Sequence, residues 1–292
     1  MRNETGRLCL GTAQFGSDYG IANKRGMVPR NEVFDILRRA EEKGVRVLDT
    51  AHGYGESENV IGRFFEESGA GFGVISKLPR IHSGETAGEY VLESLKRLKR
   101  GSIYGYLLHS FDDYSQNKRV YGELEDLKQK GVIKKTGFSI YNPRELETLF
   151  NDKTAFDIIQ FPYSVFDRRF EPYFPELKKN GVEIYARSVF LQGLAFMEPD
   201  KLKGAPAGAG RQITRLREIS ALAGMSIYDI CLRFVLANGS IDKIVVGVDD
   251  IGQLEKNIVV FSGSGDFSGL EQEVDHLVIR NEDILLPYRW NR

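Results

Sequence analysis

Apolar residues cluster in eight short runs, at residues 7–11, 45–50, 72–77, 103–109, 134–139, 156–161, 182–188 and 241–247. Several runs are continuous rather than alternating, as expected of strands covered on both faces. Between them lie segments with helical spacing, at 30–43, 57–67, 86–99, 118–130, 143–150, 173–180, 211–223 and 226–238. In 86–99, Tyr90, Leu92, Leu95 and Leu98 recur near the helical period, with lysine and arginine on the other side. Gly44, Gly131 and Gly181 follow three helix ends, where a left-handed cap residue belongs. Pro143 suits a first helical turn. Strand and helix alternating at intervals of about 30 residues predict a parallel (β/α)8 TIM barrel of the α/β class. One domain is expected over residues 1–292, with the active site at the C-terminal ends of the strands.

Two long loops would lie on that face. Residues 12–29 carry Gln14, Phe15, Asp18 and Tyr19, and residues 194–210 end in Gly-Ala-Pro-Ala-Gly-Ala-Gly. Long loops in compact domains are usually functional or disordered. The first is expected to line a substrate pocket, and its mixture of polar and aromatic groups suits a sugar or another hydroxylated ligand. Tyr163, Phe166 and Arg168, after the sixth strand, are further pocket candidates. The closing segment 268–292 could cover either the active-site face or the barrel wall.

Composition narrows the partners. The counts of 41 acidic and 40 basic residues leave a net charge of −1, with no electrostatic reason to expect nucleic acid or an anionic membrane. Cys9 and Cys231 both sit in apolar segments, as free buried thiols of a reducing cytosol would. The opening Met-Arg-Asn-Glu-Thr-Gly lacks the apolar core of a signal peptide, and no apolar run approaches the roughly 20 residues that span a bilayer. A soluble cytoplasmic protein is expected; its oligomeric state is not legible.

Four polar residues fall where one chemistry would use them. Asp49, Lys77 and His109 close consecutive strand runs, and Tyr54 lies on the loop after the first of these. A tyrosine has a reference pKa near 10 and is a weak acid at neutral pH. Lowering it by about 2–3 units takes roughly 3–4 kcal/mol, and an ammonium about 4 Å away supplies a similar amount at an effective dielectric of 20. Lys77 is the candidate ammonium, Asp49 the carboxylate that keeps it charged, and His109 the group that orients a carbonyl oxygen toward Tyr54. Each alone has a plainer reading: a turn cap, a packed aromatic, an exposed strand-end lysine, a core histidine. Their order on consecutive strand ends argues for a proton-delivery device suited to hydride transfer. A Schiff-base role for Lys77 does not call for the Asp49–Tyr54 spacing. The four histidines lack the His-x-His spacing of barrel metal sites, so no metal is expected.

The same residues resemble a known family. Leu48-Asp49-Thr50-Ala51-His52-Gly53-Tyr54-Gly55-Glu56-Ser57-Glu58 is similar to the signature segment of the aldo-keto reductases. Ser76-Lys77 and Leu107-Leu108-His109 resemble that family's second and third catalytic segments. Leu10-Gly11-Thr12 resembles its opening strand, and Gly131-Val132-Ile133-Lys134 with Gly137-Phe138-Ser139 its fifth. Ile244-Val245-Val246-Gly247 and Gln253-Leu254-Glu255-Lys256-Asn257 resemble its last strand and the helix on the adenine side. The likeness runs from about residue 7 to 260.

The resemblance implies an NAD(P)H-dependent reductase of small carbonyl compounds, with Tyr54 as proton donor, Lys77 and Asp49 tuning it, and His109 placing the carbonyl. It implies cofactor contacts from Gly11, Thr12, Asp49, Ser139, Gln160, Arg187, Ser188, Leu191, Gly193, Gly247, Asp249, Gln253 and Asn257. Phe15, Tyr19, His52 and Tyr163 are the expected substrate pocket. The family also contains dinucleotide-binding sensors with little turnover, which is the alternative function.

Three departures stand out. Arg187 occupies a position where the family commonly places an aromatic ring against the nicotinamide; a guanidinium can also stack on a π face. Asp249-Asp250 occupies the usual place of a basic 2′-phosphate contact, which favours NADH over NADPH, although Lys256 or Arg211 could reach a phosphate. The N-terminal segment is too short for the hairpin that often closes the barrel bottom.

Overall fold

The computed structural model describes residues 4–20, 23, 25–82, 84–263, 267 and 269–290. Parts of the first long loop, the N-terminus and the closing segment therefore lie outside the described residues. Eight strands form one closed parallel barrel in chain order, with β8 paired to β1. They are β1 Leu8–Gly11, β2 Val47–Asp49, β3 Gly73–Leu78, β4 Ile103–Leu108, β5 Ile133–Ser139, β6 Ile158–Pro162, β7 Glu183–Arg187 and β8 Lys243–Gly247. Each of the eight expected runs overlaps one strand. No strand precedes β1 among the described residues.

Helices cover the outside of the barrel. They are α1 Arg30–Glu42, α2 Ser57–Ser68, α3 Ala87–Leu98, α4 Phe111–Gln116, α5 Arg119–Gln129, α6 Pro143–Asn151, α7 Phe174–Lys179, α8 Gly210–Ala223, α9 Ile227–Ala237, α10 Ile251–Phe261, α11 Glu271–Asp275 and α12 Glu282–Leu285. Local chemistry sets several boundaries. Thr86 and Glu89 form a capping box at α3, and Asn142 and Glu145 form another at α6, with Pro143 in its first turn. Gly44, Gly131 and Gly181 adopt φ of 87°, 74° and 71°, the left-handed conformation expected of them.

The expected apolar stripe of α3 needs correction. Its buried face runs Ala87, Val91, Ser94 and Leu98, while Leu92 is exposed. The i, i+4, i+7, i+11 row meets the barrel, and Leu92 lies off it. The 194–210 segment is not a bare loop. Three 3-10 turns, Leu191–Phe196, Pro199–Lys201 and Ala205–Ala209, organise it. No single helix among the described residues is long and apolar enough to cross a membrane.

The core has two compartments. Cys9, Val47, Ile75, Leu107, Ile158 and Tyr185 pack together inside the barrel, and a larger cluster fills the space between strands and helices. Both cysteines are buried and unbridged. Successive side chains on a strand point to opposite faces. The residue two beyond each interior residue therefore also points inward, one layer nearer the carboxyl mouth. This parity sends Gly11, Asp49, Lys77, His109, Gln160 and Arg187 to the same end of the barrel.

Candidate active site

Asp49 and Lys77 meet at the centre of that mouth, with Lys77 Nζ donating to Asp49 Oδ1 at 2.6 Å and to the Thr50 carbonyl at 2.9 Å. Gln160 Nε2 donates to the other carboxylate oxygen at 2.7 Å. All three side chains are buried. A buried carboxylate needs such partners, because desolvation of an uncompensated charge costs several kcal/mol.

Tyr54 reaches the same place from the turn after β2. Its amide donates to the Ala51 carbonyl, and its carbonyl accepts from Ser57 N, both at 3.0 Å. Gly16 fixes this turn from the opposite side: a Cβ there would lie 1.9 Å from the Tyr54 carbonyl oxygen. The Tyr54 ring centroid is 5.3 Å from Lys77 Nζ, 5.9 Å edge-on from the His109 ring and 6.4 Å from the Tyr19 ring.

The electrostatics differ from expectation. Burial and the Asp49 charge hold the Tyr54 phenol above its ordinary range, and Arg187 pulls weakly the other way. The predicted acidified phenol is thus overturned. The amine of Lys77 makes a close contact with Asp49, so a carboxylate offsets its field at the ring. His109 is pushed down to about 3 by burial and then by the charges of Lys77 and Arg187. It is a neutral imidazole at physiological pH, able to donate one hydrogen bond.

These groups border a cavity of about 1140 Å³. Of the residues expected there, Gly11, Thr12, Asp49, Tyr54, His109, Gln160, Arg187, Ser188, Gly193, Gly247, Asp249, Gln253 and Tyr19 lie on its wall. Lys77 sits behind Asp49. Ser139 stands behind Gln160, at 3.4 Å from its Oε1, and Asn257 is buried beside Tyr228, whose hydroxyl it accepts. Leu191 is a core side chain, although its φ of 46° contributes to a bend with Ser188, Gln192 and Gly193, also at positive φ. Runs of such backbone can gather N–H groups around an anion.

Three expected pocket residues are elsewhere. Phe15 is fully buried in the core between strands and helices. The Tyr163 hydroxyl turns away to Glu171 and Asn238, at 2.6 and 3.1 Å. His52 pairs with Glu93 at 3.0 Å and packs edge-on against Tyr90 of α3. Nor do Phe166 and Arg168 reach the cavity; Phe166 is core and Arg168 binds Asp275.

Other wall residues escaped the sequence reading. Tyr141 stacks on the Arg187 guanidinium, with a 3.9 Å separation from ring centroid to Cζ. Its parity was a usable signal, since it lies two residues beyond the inward Ser139. Phe190, Gln192 and Tyr228 also line the wall, on loops or a helix where no such parity exists, while Gln14 of the first long loop lies there as expected. The closing segment covers the active-site face: Pro287 lines the cavity and Tyr288 packs edge-on against Tyr141 at 5.2 Å.

The cavity fits a dinucleotide by its chemistry. Asn257 Nδ2, just behind the wall, and Asp249 Oδ1 are buried without a protein partner among the described residues, a donor and an acceptor left unsatisfied. Glycine keeps the floor clear, for a Cβ at Gly247 would lie 2.6 Å from Gln14 Oε1. The volume exceeds the range of about 300–1,000 Å³ usual for small-ligand pockets.

A parallel (β/α)8 barrel with these groups at its carboxyl mouth defines an oxidoreductase of carbonyls and alcohols. Residues 7–265 match the model of the Aldo/keto reductase family, and the chain belongs to that family. Members use NAD(P)H and act on small-molecule carbonyl compounds. The chain is 26% identical over 272 residues to the uncharacterized oxidoreductase YqkF of Bacillus subtilis (strain 168), covering 85% of this chain and 89% of that one. It is 25% identical over 286 residues to L-galactose dehydrogenase of Arabidopsis thaliana, covering 90% and 86%. Its fold matches the holo form of aldo-keto reductase AKR11C1 from Bacillus halodurans with a TM-score of 0.75 at 23% identity, covering 93% and 91%.

Proposed function

We propose that this protein reduces an aldehyde or ketone to the alcohol with a nicotinamide dinucleotide, Tyr54 delivering the proton and His109 holding the carbonyl oxygen. The observation that carries the reading is the shared mouth of one cavity: Tyr54 and His109 rings 5.9 Å apart, with the Lys77 amine 5.3 Å from the phenol ring. The bound cofactor supplies the hydride.

Every other contribution comes from the chain. His109 is neutral, so its N–H can donate to the substrate oxygen without carrying a charge of its own. Tyr54 stays protonated, and an oxygen that gains electrons becomes more basic than a phenolate. The proton therefore moves from Tyr54 to substrate without prior acidification of the phenol. Lys77 then stabilises the phenolate left behind by on the order of 3 kcal/mol at an effective dielectric of 20, less the opposing field of Asp49. Catalysis here lies in a response to developing charge rather than in a shifted resting pKa.

Gly11, Thr12, Ser188, Gly193, Gly247, Gln253 and Asn257 would hold the dinucleotide, with Ser139 and Gln160 toward the nicotinamide amide. The unpartnered carboxylate oxygen of Asp249 favours a free ribose hydroxyl over a phosphate, so NADH is the preferred cofactor. Lys256 on the same wall is the group that would oppose this preference. Gln14, Tyr19, Asn23 and Tyr141 supply polar and aromatic wall, suited to a sugar or other hydroxylated carbonyl. The chain is read as one domain, and its two free buried thiols suit a reducing compartment such as the cytoplasm. Oxidation of NADH in the presence of a panel of aldoses, ketoses and simple aldehydes tests the reading; cofactor binding without turnover of any of them contradicts it.

A further inference from the structure

Arg187 closes β7 and points into the cavity that holds Tyr54 and His109. One face of its guanidinium is covered by Tyr141. Two of its N–H groups have acceptors: Nη2 donates to the Ile140 carbonyl at 3.0 Å and Nη1 to Ser188 Oγ at 3.3 Å. A guanidinium carries five donors. The remaining three have no protein acceptor among the described residues, and the side chain lines the cavity.

No carboxylate pairs with Arg187 among the described residues. Other arginines, outside the cavity wall, differ: Arg25 holds Glu32, Arg168 holds Asp275 and Arg169 holds Asp167. Asp49 pairs with Lys77 and Gln160 and makes no ion pair with Arg187 among the described residues. Asp229, Asp249 and Glu255 belong to α9 and to the β8–α10 side of the wall, and none approaches Arg187 within ion-pairing distance. The reacting end of the cavity therefore carries a cation held in place and left open. His109 is neutral there, partly because of that charge. Stacking on Tyr141 fixes the guanidinium plane and lowers the entropy cost of using it.

We propose that the carbonyl substrate is itself an anion, and that Arg187 binds its carboxylate or phosphate group while Tyr54 and His109 address the carbonyl oxygen. This rests on the carbonyl-reductase reading above and narrows its substrate class. A guanidinium presents paired donors that match a carboxylate or a phosphate. Neutral sugars and alkyl aldehydes leave those donors unmatched.

The test compares matched aldehydes with NADH present: succinic semialdehyde against butanal for a carboxylate, and D-glyceraldehyde 3-phosphate against D-glyceraldehyde for a phosphate. We expect kcat/KM to favour the charged member of at least one pair by about ten- to a hundredfold. Whichever pair shows it identifies the anion. Arg187→Gln should collapse that ratio toward one, and Arg187→Lys should restore part of it. NADH affinity, read by fluorescence titration of each variant, separates this from cofactor loss. Equal use of charged and neutral members, or a ratio that survives in Arg187→Gln, overturns the proposal. If no aldehyde turns over, the reductase reading fails. Calorimetric titration of the NADH complex with succinate and 3-phosphoglycerate then decides the anion site on its own. Binding lost in Arg187→Gln upholds it, and no binding, or binding unchanged by the variant, overturns it.

Discussion

Lys77 Nζ lies 2.6 Å from Asp49 Oδ1 and 5.3 Å from the Tyr54 ring centroid, and the lysine and aspartate side chains are both buried. Breaking a buried pair from one side strands the other charge, at a cost of about 3–5 kcal/mol. Lys77→Met should therefore destabilise the fold by about that amount in urea denaturation. Asp49→Asn combined with Lys77→Met should recover part of the loss, because no charge is left unpaired. Equal loss in the single and double variants would show that packing, not the ion pair, sets the cost.

The pH behaviour follows from two side chains. Tyr54 is held above its usual range and His109 sits at about 3. Neither changes charge between about pH 5 and 9, so kcat/KM for reduction should be flat across that window. The reverse reaction needs the phenolate and should climb as pH rises. A step in reduction near pH 6–7 that disappears in His109→Gln would contradict the neutral imidazole.

His109 also links pH to stability. An unfolded histidine titrates near 6.5, whereas the folded one refuses the proton until about 3. Between those values the unfolded chain binds more protons, so stability falls as pH drops below about 6.5, by up to roughly 1.4 kcal/mol per pH unit. The wild type should thus lose more stability than His109→Gln when moved from pH 7 to pH 4.5. Parallel losses in the two proteins would argue that the imidazole is solvated.

Gly16 should be intolerant of a side chain. A Cβ would meet the Tyr54 carbonyl oxygen and the Ser57 amide, at 1.9 and 2.2 Å, both backbone atoms that cannot yield without moving the turn. Gly16→Ala should cost about 1–3 kcal/mol of stability and reduce turnover more than NADH affinity, because it displaces the turn that carries Tyr54. Unchanged turnover in this variant would mean the turn has slack.

Titration with NADH and NADPH should favour NADH, and Asp249→Asn should narrow the gap by relieving the repulsion of a 2′-phosphate. NADPH binding more than tenfold tighter, a difference of about 1.4 kcal/mol, would assign the ribose site to Lys256 instead.

Much of the fold was legible because each strand writes its own signal. Buried parallel strands are apolar throughout, and the last inward residue of each can be counted from its end. That parity is why Asp49, Lys77, His109, Gln160 and Arg187 converge as expected. Loops carry no such period, and there the reading failed: Phe15, His52 and Tyr163 are aromatic residues near strand ends that turn to the core or to α3. The phenol's resting state was also out of reach. It depends on how deeply Tyr54 is buried and on Asp49 taking the Lys77 charge, and neither is written in residue order. The short α4 was missed because its six residues offer fewer than two turns of period.

In the proposed mechanism Tyr54 gives up its proton in the chemical step. Single-turnover oxidation of NADH by a carbonyl substrate, in the wild type and in Tyr54→Phe, tests it most directly. The variant should keep an unchanged NADH dissociation constant and show a chemical step slowed by about 10²–10⁴-fold. A Tyr54→Phe enzyme that reduces substrate within a few-fold of the wild-type rate would contradict it.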